Sequence, residues 1–192
     1  MAAPTVLVPI ADGSEEIETV CIQDTLVRAG VSVTIASVMP EGRLQCTMSR
    51  GLKVVADKSI EEAAAQEFDA IAVPGGMPGA KTISESAVFV DLLKAHVAAG
   101  KTYGAICAAP AVVLHAHGLI PAGAKATCFP AFADKLEACS EERVCTAGKL
   151  VTSRGPGTAI EFALALIDQL MDKLDAEKAK GVAKGMLVPG AA

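Results

Sequence analysis

Short apolar runs alternate along this chain with amphipathic helical stretches, and this alternation is the feature that most constrains its fold. The runs TVLVPI, VSVTIAS, AIAV and TYGAI are typical of buried strands, and EEIETVCIQDTLVRAG and VFVDLLKAHVAAG are typical of the helices between them. Parallel strands buried on both faces need helices on both sides of their sheet. The pattern therefore predicts one α/β domain over residues 1–192, a doubly wound sandwich with a mostly parallel sheet.

The remaining segments predict smaller elements around this sheet. LQCTM and LKVVAD are expected to pair as a hairpin, IEEAAAQEF to form a short helix, and RVCTAGKLVTS to form two short strands around Gly148. GPGTAIEFALALIDQLMDKL has the pattern of a long helix. AEKAKGVAKGMLVPG is expected to add one more helix, with Lys178, Lys180 and Lys184 facing outward.

Composition and charge argue against several classes of function. With 3% aromatic residues and a formal net charge of -5, the chain lacks the basic surface and the stacking side chains of a nucleic-acid binder. The first apolar run has no positive charge ahead of it and is interrupted by Pro9 and Asp12, so we expect neither a signal peptide nor a membrane span. Small molecules or other proteins are the expected partners.

The cysteines indicate a reducing compartment. The chain has 6 cysteines, which form no C-x-x-C pair and have no histidine at a metal-ligand spacing. We therefore expect a reduced, cytoplasmic protein without a metal site. The absence of a G-x-G-x-x-G or P-loop pattern predicts that no nucleotide cofactor is bound.

Cys107 follows the strand TYGAI directly and precedes a helical pattern that contains Pro110. Ala105 and Ala109 are small, as a sharp strand-to-helix turn of the G-x-S-x-G type requires. Ligands bind at the carboxyl ends of parallel strands, and the helix dipole and free N–H groups at such a turn favour a thiolate. Cys107 is therefore either a reactive nucleophile or a buried structural cysteine, and this motif alone leaves both interpretations open.

The stretch VPGGMPG, which follows the strand AIAV, favours the reactive interpretation. Gly75 and Gly76 allow backbone N–H groups to approach an anion without interference from a Cβ atom. Together with the N–H of Ala108 they are candidates for an oxyanion hole. The simpler interpretation of PGG is an ordinary turn.

Three acidic residues, Glu15, Glu16 and Glu18, follow the first strand. Their simplest role is to compensate the dipole of the next helix, with Asp12 or Ser14 as its N-cap. An acid at this edge of the sheet is also placed to exchange a proton with a reactive sulfur.

The motifs DGSEEIE, VPGG, AICAAP and TSRGPGT, in this order and at these separations, resemble the ThiJ/PfpI family from residue 4 to about residue 187. The resemblance is strongest to the branch that contains the parkinsonism-associated protein deglycase and its bacterial relatives. It implies a flavodoxin-like α/β sandwich, usually homodimeric, in which Cys107 is the nucleophile and Glu18 the proton-transfer residue. It also implies that Gly75, Gly76 and Ala108 supply the backbone donors around the sulfur.

The resemblance assigns two further groups of residues. The GPG turn formed by Gly155, Pro156 and Gly157 would line the wall of the pocket. The residues expected near the dimer contact are Ile17, Arg28 and Arg50.

Two positions depart from the family pattern. Ala108 stands where peptidase members have a histidine, which argues against peptidase chemistry, and Phe129 stands where some members of the deglycase branch have one. The histidines of this chain, His96, His115 and His117, lie in helical stretches and are expected to be surface or cap residues.

The implied activity is that of a cofactor-independent glyoxalase III or protein deglycase. Cys107 would add to the aldehyde of methylglyoxal or glyoxal, or to their adducts on proteins or nucleotides, and Glu18 would exchange the proton until lactate or glycolate leaves. The alternative function is a redox-responsive sensor or chaperone, in which Cys107 is oxidised to a sulfinate. An inactive scaffold that keeps the motifs for structural reasons is a third interpretation.

Overall fold

A computed structural model of the chain describes residues 2–170 and 172–190. In chain order its strands are β1 (Thr5–Ile10), β2 (Ser32–Ser37), β3 (Gln45–Thr47), β4 (Lys53–Val55), β5 (Lys58–Ser59), β6 (Ala70–Val73), β7 (Thr102–Ile106), β8 (Val144–Ala147) and β9 (Leu150–Ser153). Its α-helices are α1 (Glu16–Arg28), α2 (Ile60–Ala64), α3 (Gly79–Glu85), α4 (Ala87–Ala98), α5 (Ala159–Asp168) and α6 (Lys178–Gly185).

Seven strands form one sheet in the order β5-β2-β1-β6-β7-β9-β8, and β3 and β4 form a separate antiparallel hairpin. All pairings in the large sheet are parallel except that of β8 with β9. The chain passes from β1 to β2 on one side and later returns to β6 on the other side of β1. The predicted doubly wound, mostly parallel sandwich is confirmed, and the crevice where ligands bind in such folds lies at the carboxyl ends of β1 and β6.

Helices cover the sheet in two groups. On one side α1 packs against α5, and α5 against α6, whereas α2 and α3 pack against α4. Every residue of β6 and β7 is buried, as expected for strands covered on both faces. At Gly104 the sheet approaches α5 so closely that a Cβ atom would lie 2.9 Å from the Phe162 ring. No helix among the described residues is long and apolar enough to cross a lipid bilayer.

Three local features differ from the sequence-based predictions. Helix α3, which begins directly after Pro78, lies in a segment for which the pattern predicts no helix. The helix expected after Cys107 begins with a π-helical turn (Pro110–Leu114) and ends in a 3₁₀ turn (His115–His117). The long helix expected over residues 155–174 is shorter, since a 3₁₀ turn precedes α5 and α5 ends at Asp168. Residue 171 of that expected helix lies outside the described residues.

Candidate active site at the carboxyl ends of β1, β6 and β7

Cys107 forms a sharp elbow between β7 and the π-helical turn. Its φ angle is 64°, in the left-handed region that residues with a Cβ atom rarely adopt and that costs about 1 kcal/mol or more. Two backbone hydrogen bonds hold it there: its N–H donates to Ser153 O at 3.0 Å, and its carbonyl accepts from the N–H of Phe129 at 2.8 Å. The structure therefore contains the tight turn expected at this cysteine, and the Cys107 side chain is buried, with 8% exposed.

Gly75 lies directly against this elbow. A Cβ atom built on Gly75 would lie 2.6 Å from the Cβ of Cys107, 2.8 Å from Ile106 O and 3.0 Å from Ala108 N. Such distances are shorter than real Cβ contacts, so only glycine fits at this position. The loop after β6 and the elbow after β7 thus pack backbone against backbone.

The backbone donors divide between two acceptors. The N–H groups of Gly76 and Ala108 lower the pKa of the Cys107 thiol. Gly75 was expected to serve the sulfur as well, and this was wrong: its N–H donates to Glu18 Oε2 at 2.7 Å. The reason is the approach of α1, which brings a carboxylate to this N–H. Gly75 therefore orients the acid.

Glu18 lies in the first turn of α1 and is completely buried. The N-cap of this helix is Glu15, whose Oε2 accepts from the N–H of Glu18 at 2.8 Å, so the expected capping by Asp12 or Ser14 was wrong. Ser14 instead accepts a hydrogen bond from the N–H of Ala11. The second carboxyl oxygen, Glu18 Oε1, has no hydrogen-bond partner among the described residues.

Burial raises the pKa of both reactive groups. It raises the pKa of Glu18 to about 7, although the Gly75 N–H and the contact with Cys107 lower it. The pKa of Cys107 is raised to about 12, first by burial and then by the charge of Glu18, while the N–H groups of Gly76 and Ala108 oppose the rise. The N–H groups that favour a thiolate therefore have a smaller effect on the pKa of Cys107 than burial and the charge of Glu18. Between these two pKa values the pair holds one proton.

Phe129 lies between the GPG turn and the elbow and contacts both. A Cβ atom on Gly155 would lie 3.4 Å from the Phe129 ring, and Phe129 is hydrogen-bonded to Cys107. An open cavity of about 260 Å³ lies beside this turn, and its lining includes Arg143 and Arg154. The same cavity is also lined by Phe129, Gly155, Pro156 and Gly157. Arg154 belongs to the motif TSRGPGT, whereas Arg143 lies outside the four motifs identified in the sequence.

The residues expected near a dimer contact are exposed on the surface. Ile17 on α1 is 52% exposed. Arg28, at the end of α1, forms an ion pair with Asp24 at 2.6 Å, and the N–H of Arg50 donates to Glu16 Oε1 at 2.7 Å.

Among the described residues, no histidine forms a hydrogen bond with Cys107 or Glu18. His96 is buried rather than on the surface, with Nε2 2.8 Å from Thr102 O, and burial lowers its pKa. His117 Nε2 lies 3.0 Å from Ser84 Oγ, and His115 is exposed as expected.

Comparison with known proteins gives consistent matches. The model of the DJ-1/PfpI family matches residues 4–169. "Protein DJ-1 homolog B" of Arabidopsis thaliana is 46% identical over 187 residues, which are 96% of this chain and 41% of that protein. The chain thus spans less than half the length of this relative.

Two further matches extend over most of both chains. "Glutathione-independent glyoxalase DJR-1.2" of Caenorhabditis elegans is 37% identical over 169 residues, which are 86% of this chain and 87% of that protein. A solved structure of oxidized Toxoplasma gondii DJ-1 has a TM-score of 0.91 and 49% identity, and the match covers 97% of this chain and 100% of that one.

Proposed function

This chain belongs to the DJ-1/PfpI family, and from that premise we propose that it is a cysteine-dependent glyoxalase or protein deglycase. Its substrates would be methylglyoxal, glyoxal and their adducts on protein amines or nucleotides, and its products lactate or glycolate. The observation that carries this proposal is the buried Glu18 carboxyl beside the Cys107 thiol at the elbow. The nematode relative, whose name states a glyoxalase that needs no glutathione, supports the same class of reaction.

The first step is addition of sulfur to the aldehyde carbon. The thiol proton must leave Cys107 as the new C–S bond forms, and the Glu18 carboxylate is the adjacent acceptor. Because its pKa is raised to about 7, Glu18 accepts the proton near neutral pH and returns it to the aldehyde oxygen, which gives a hemithioacetal. The N–H groups of Gly76 and Ala108 stabilise the negative charge that develops at the sulfur and at the oxygen bound to the attacked carbon.

The second step moves a hydrogen within the substrate. Glu18 removes the hydrogen of the former aldehyde carbon as a proton, and the electron pair shifts through an enediol. Return of that proton to the neighbouring carbon, with transfer of the hydroxyl proton from the hemithioacetal oxygen to the oxygen of the neighbouring carbon, leaves a thioester of the hydroxyacid on Cys107. Water then hydrolyses the thioester, which releases the hydroxyacid and restores the thiol. Substrate plus one water equals product, because one carbon is oxidised and its neighbour reduced, so the cycle needs no external oxidant or cofactor.

The unpartnered oxygen of Glu18 supports this double use of one acid. Oε2 is held by the Gly75 N–H, which fixes the direction of the carboxyl. Oε1 has no partner among the described residues and so remains available to a substrate. A buried carboxyl oxygen of this kind is costly unless a ligand occupies it during the reaction cycle.

The proposal is tested by methylglyoxal turnover in the wild type, Cys107→Ser and Glu18→Gln. We expect each variant to lose at least about 100-fold in kcat/KM, because one lacks the thiol nucleophile and the other the proton acceptor. Cys145→Ser, at a cysteine buried on β8, is the matched control and should retain the wild-type rate. Unchanged turnover in Cys107→Ser would end the proposal.

We also propose a cytoplasmic homodimer in which α1 contributes to the contact. The support is an apolar stripe on this helix, where Ile17, Val20 and Val27 are 52%, 48% and 47% exposed. Large exposed side chains on one helix face are typical of protein contacts. Arg28 and Arg50 would lie at the edge of this contact.

A redox-responsive role is the second candidate function. The relative from Toxoplasma gondii was solved in an oxidized form, and Glu18 Oε1 is free to share a proton with a sulfinate oxygen on Cys107. Mass spectrometry after mild peroxide treatment tests it: the sensor requires a sulfinate on Cys107, and a thiol at Cys107 after treatment excludes it.

A further inference from the structure

Two arginines lie opposite each other beside the GPG turn. The register of β8 and β9 pairs Val144 with Ser153. The N–H of Arg154 donates to Arg143 O at 3.3 Å, so the antiparallel pairing continues for one more residue. Residues that are directly opposite in such a pair project their side chains from the same face. Both guanidinium groups therefore belong to one cavity, the open one of about 260 Å³ beside the turn.

The two guanidinium groups have different partners. Arg143 forms an ion pair with Glu161 at 2.8 Å and donates to Gly157 O at 2.6 Å. Arg154 donates to the backbone carbonyl of Glu141 at 2.8 Å and forms no ion pair among the described residues. A guanidinium group has five N–H donors, so Arg154 keeps both donors and an unbalanced positive charge for a ligand.

The rest of the cavity wall does not oppose an anion. Besides the two arginines, the cavity is lined by uncharged residues, which are Phe129, Pro130, Gly155, Pro156, Gly157 and Thr158. Its volume of about 260 Å³ lies below the range of about 300–1,000 Å³ that is usual for drug-sized ligands. A small anionic molecule, or the anionic end of one, fits this size and charge.

Backbone hydrogen bonds connect the cavity to the elbow on two sides. The Cys107 N–H donates at 3.0 Å to the carbonyl of Ser153, the residue before Arg154. The Cys107 carbonyl accepts at 2.8 Å from the N–H of Phe129, whose side chain lines the cavity. One residue on each side thus separates the proposed nucleophile from the cavity wall.

We propose that Arg154 binds a phosphate group of the substrate and so selects phosphorylated α-oxoaldehydes over neutral ones such as methylglyoxal. This inference rests on the function proposed above and narrows its substrate class. The planar guanidinium group matches phosphate oxygens with two parallel hydrogen bonds. The aldehyde carbon would lie at Cys107 and the phosphate at Arg154, with Arg143 beside it. The reaction remains addition of one water to the oxoaldehyde, and the phosphate ester stays intact in the hydroxyacid product.

The kinetic test compares methylglyoxal with 3-phosphooxy-2-oxopropanal, which is methylglyoxal with a phosphate group on its methyl carbon. We expect the wild type to have a kcat/KM about 10-fold or more higher for the phosphorylated compound, as a charged hydrogen bond to the substrate implies. Arg154→Gln should remove this preference and leave the kcat/KM for methylglyoxal within about 2-fold of the wild type. Arg154→Lys, which keeps the charge without the planar fork, should retain part of the preference.

The matched control is Lys94→Gln. It removes one positive charge at an exposed position of α4, so it changes the net charge of the chain by the same amount as Arg154→Gln. This variant should keep the preference of the wild type. The unchanged turnover of methylglyoxal in Arg154→Gln also shows that the variant is folded.

A binding measurement separates this inference from the proposed enzymatic activity. Inorganic phosphate is titrated into the wild type, Cys107→Ser and Arg154→Gln, and the backbone amide signals of Gly155 and Gly157 are followed by NMR. We expect saturable shifts in the wild type and in Cys107→Ser, and binding at least about 10-fold weaker in Arg154→Gln. These shifts without turnover of either aldehyde would refute the glyoxalase function and support the phosphate site.

Three results would overturn the inference. One is an equal kcat/KM of the wild type for the two aldehydes. Another is an equal loss for both aldehydes in Arg154→Gln, which would indicate that Arg154 only supports the elbow. The third is phosphate binding that is as strong in Arg154→Gln as in the wild type.

Discussion

Replacement of Gly75 by alanine is the most direct test of the packing at the elbow. The added Cβ atom would lie at 2.6–3.0 Å from the Cβ of Cys107, the carbonyl of Ile106 and the backbone nitrogen of Ala108. None of these atoms is the end of a flexible side chain, so the backbone itself must move. To restore an ordinary contact of 3.4 Å, the loop and the elbow must separate by about 0.8 Å.

Both stability and activity should respond to this separation. Overpacking of this kind costs about 1–3 kcal/mol, which corresponds to a fall in Tm of roughly 3–10 °C for a chain of this size. The movement also displaces the Gly75 N–H from Glu18 Oε2, now at 2.7 Å, and so disturbs the direction of the acid. A misplacement approaching 1 Å in a reacting pair reduces kcat/KM by about 100-fold.

Thermal unfolding and methylglyoxal kinetics measure the two effects on the same sample. Gly181→Ala is the matched control, because a Cβ atom added to Gly181 within α6 would meet no atom within 4 Å. Alanine there should leave activity unchanged and stability equal or slightly higher. If Gly75→Ala keeps both the wild-type Tm and the wild-type kcat/KM, the inferred close approach of the two loops is wrong.

Three further predictions concern Glu18 and α1. The folded-state pKa of Glu18 is raised from 4.5 to about 7, so its contribution to stability is complete below pH 4.5 and is lost as pH rises to about 7. Urea unfolding should show wild-type stability falling by up to about 3 kcal/mol across this range relative to Glu18→Gln; parallel profiles would contradict the raised pKa. The kcat/KM for methylglyoxal should rise with pH through about 7, as Glu18 becomes the carboxylate that accepts the thiol proton, and a profile flat from pH 5 to 9 would exclude that role. Ile17→Arg should convert the proposed dimer to a monomer in sedimentation experiments, whereas Val55→Arg, at a residue 66% exposed on the hairpin, should not; a dimer that persists in Ile17→Arg would exclude α1 from the contact.

Strong periodicity explains which elements were predicted correctly. The spacing of apolar residues predicts one type of secondary structure in each of four elements, β1, β6, β7 and α4. The segment GAKTISE of α3 has no strong stripe, and it becomes a helix because it packs between α4 and the π-helical turn. Tertiary contacts therefore decided the weakly patterned segments.

The candidate site, like the fold, was predicted from the sequence only in part. The sequence was sufficient to place Cys107 at a turn after a buried strand, and an acid and two glycines at the same edge, because each follows a recognisable strand. It did not show that Gly75 serves Glu18, that Glu15 caps α1, or that Arg143 borders the GPG turn. The contact of Gly75 with Glu18 depends on the distance between segments far apart in the chain.

By itself, the sequence determined the order of strands and helices, the doubly wound sheet and the position of the cysteine at a strand end, since these follow from local periodicity and small residues. Only the tertiary structure decided the direction of the pKa shifts in the site. Burial of Cys107 and Glu18 in the same crevice raises both pKa values, and the N–H groups of Gly76 and Ala108 oppose the rise for Cys107. Both effects require β1, β6 and β7 to lie side by side. Local signals such as a helix dipole indicate the direction of one influence on a thiol, but the balance of all influences depends on the packed chain.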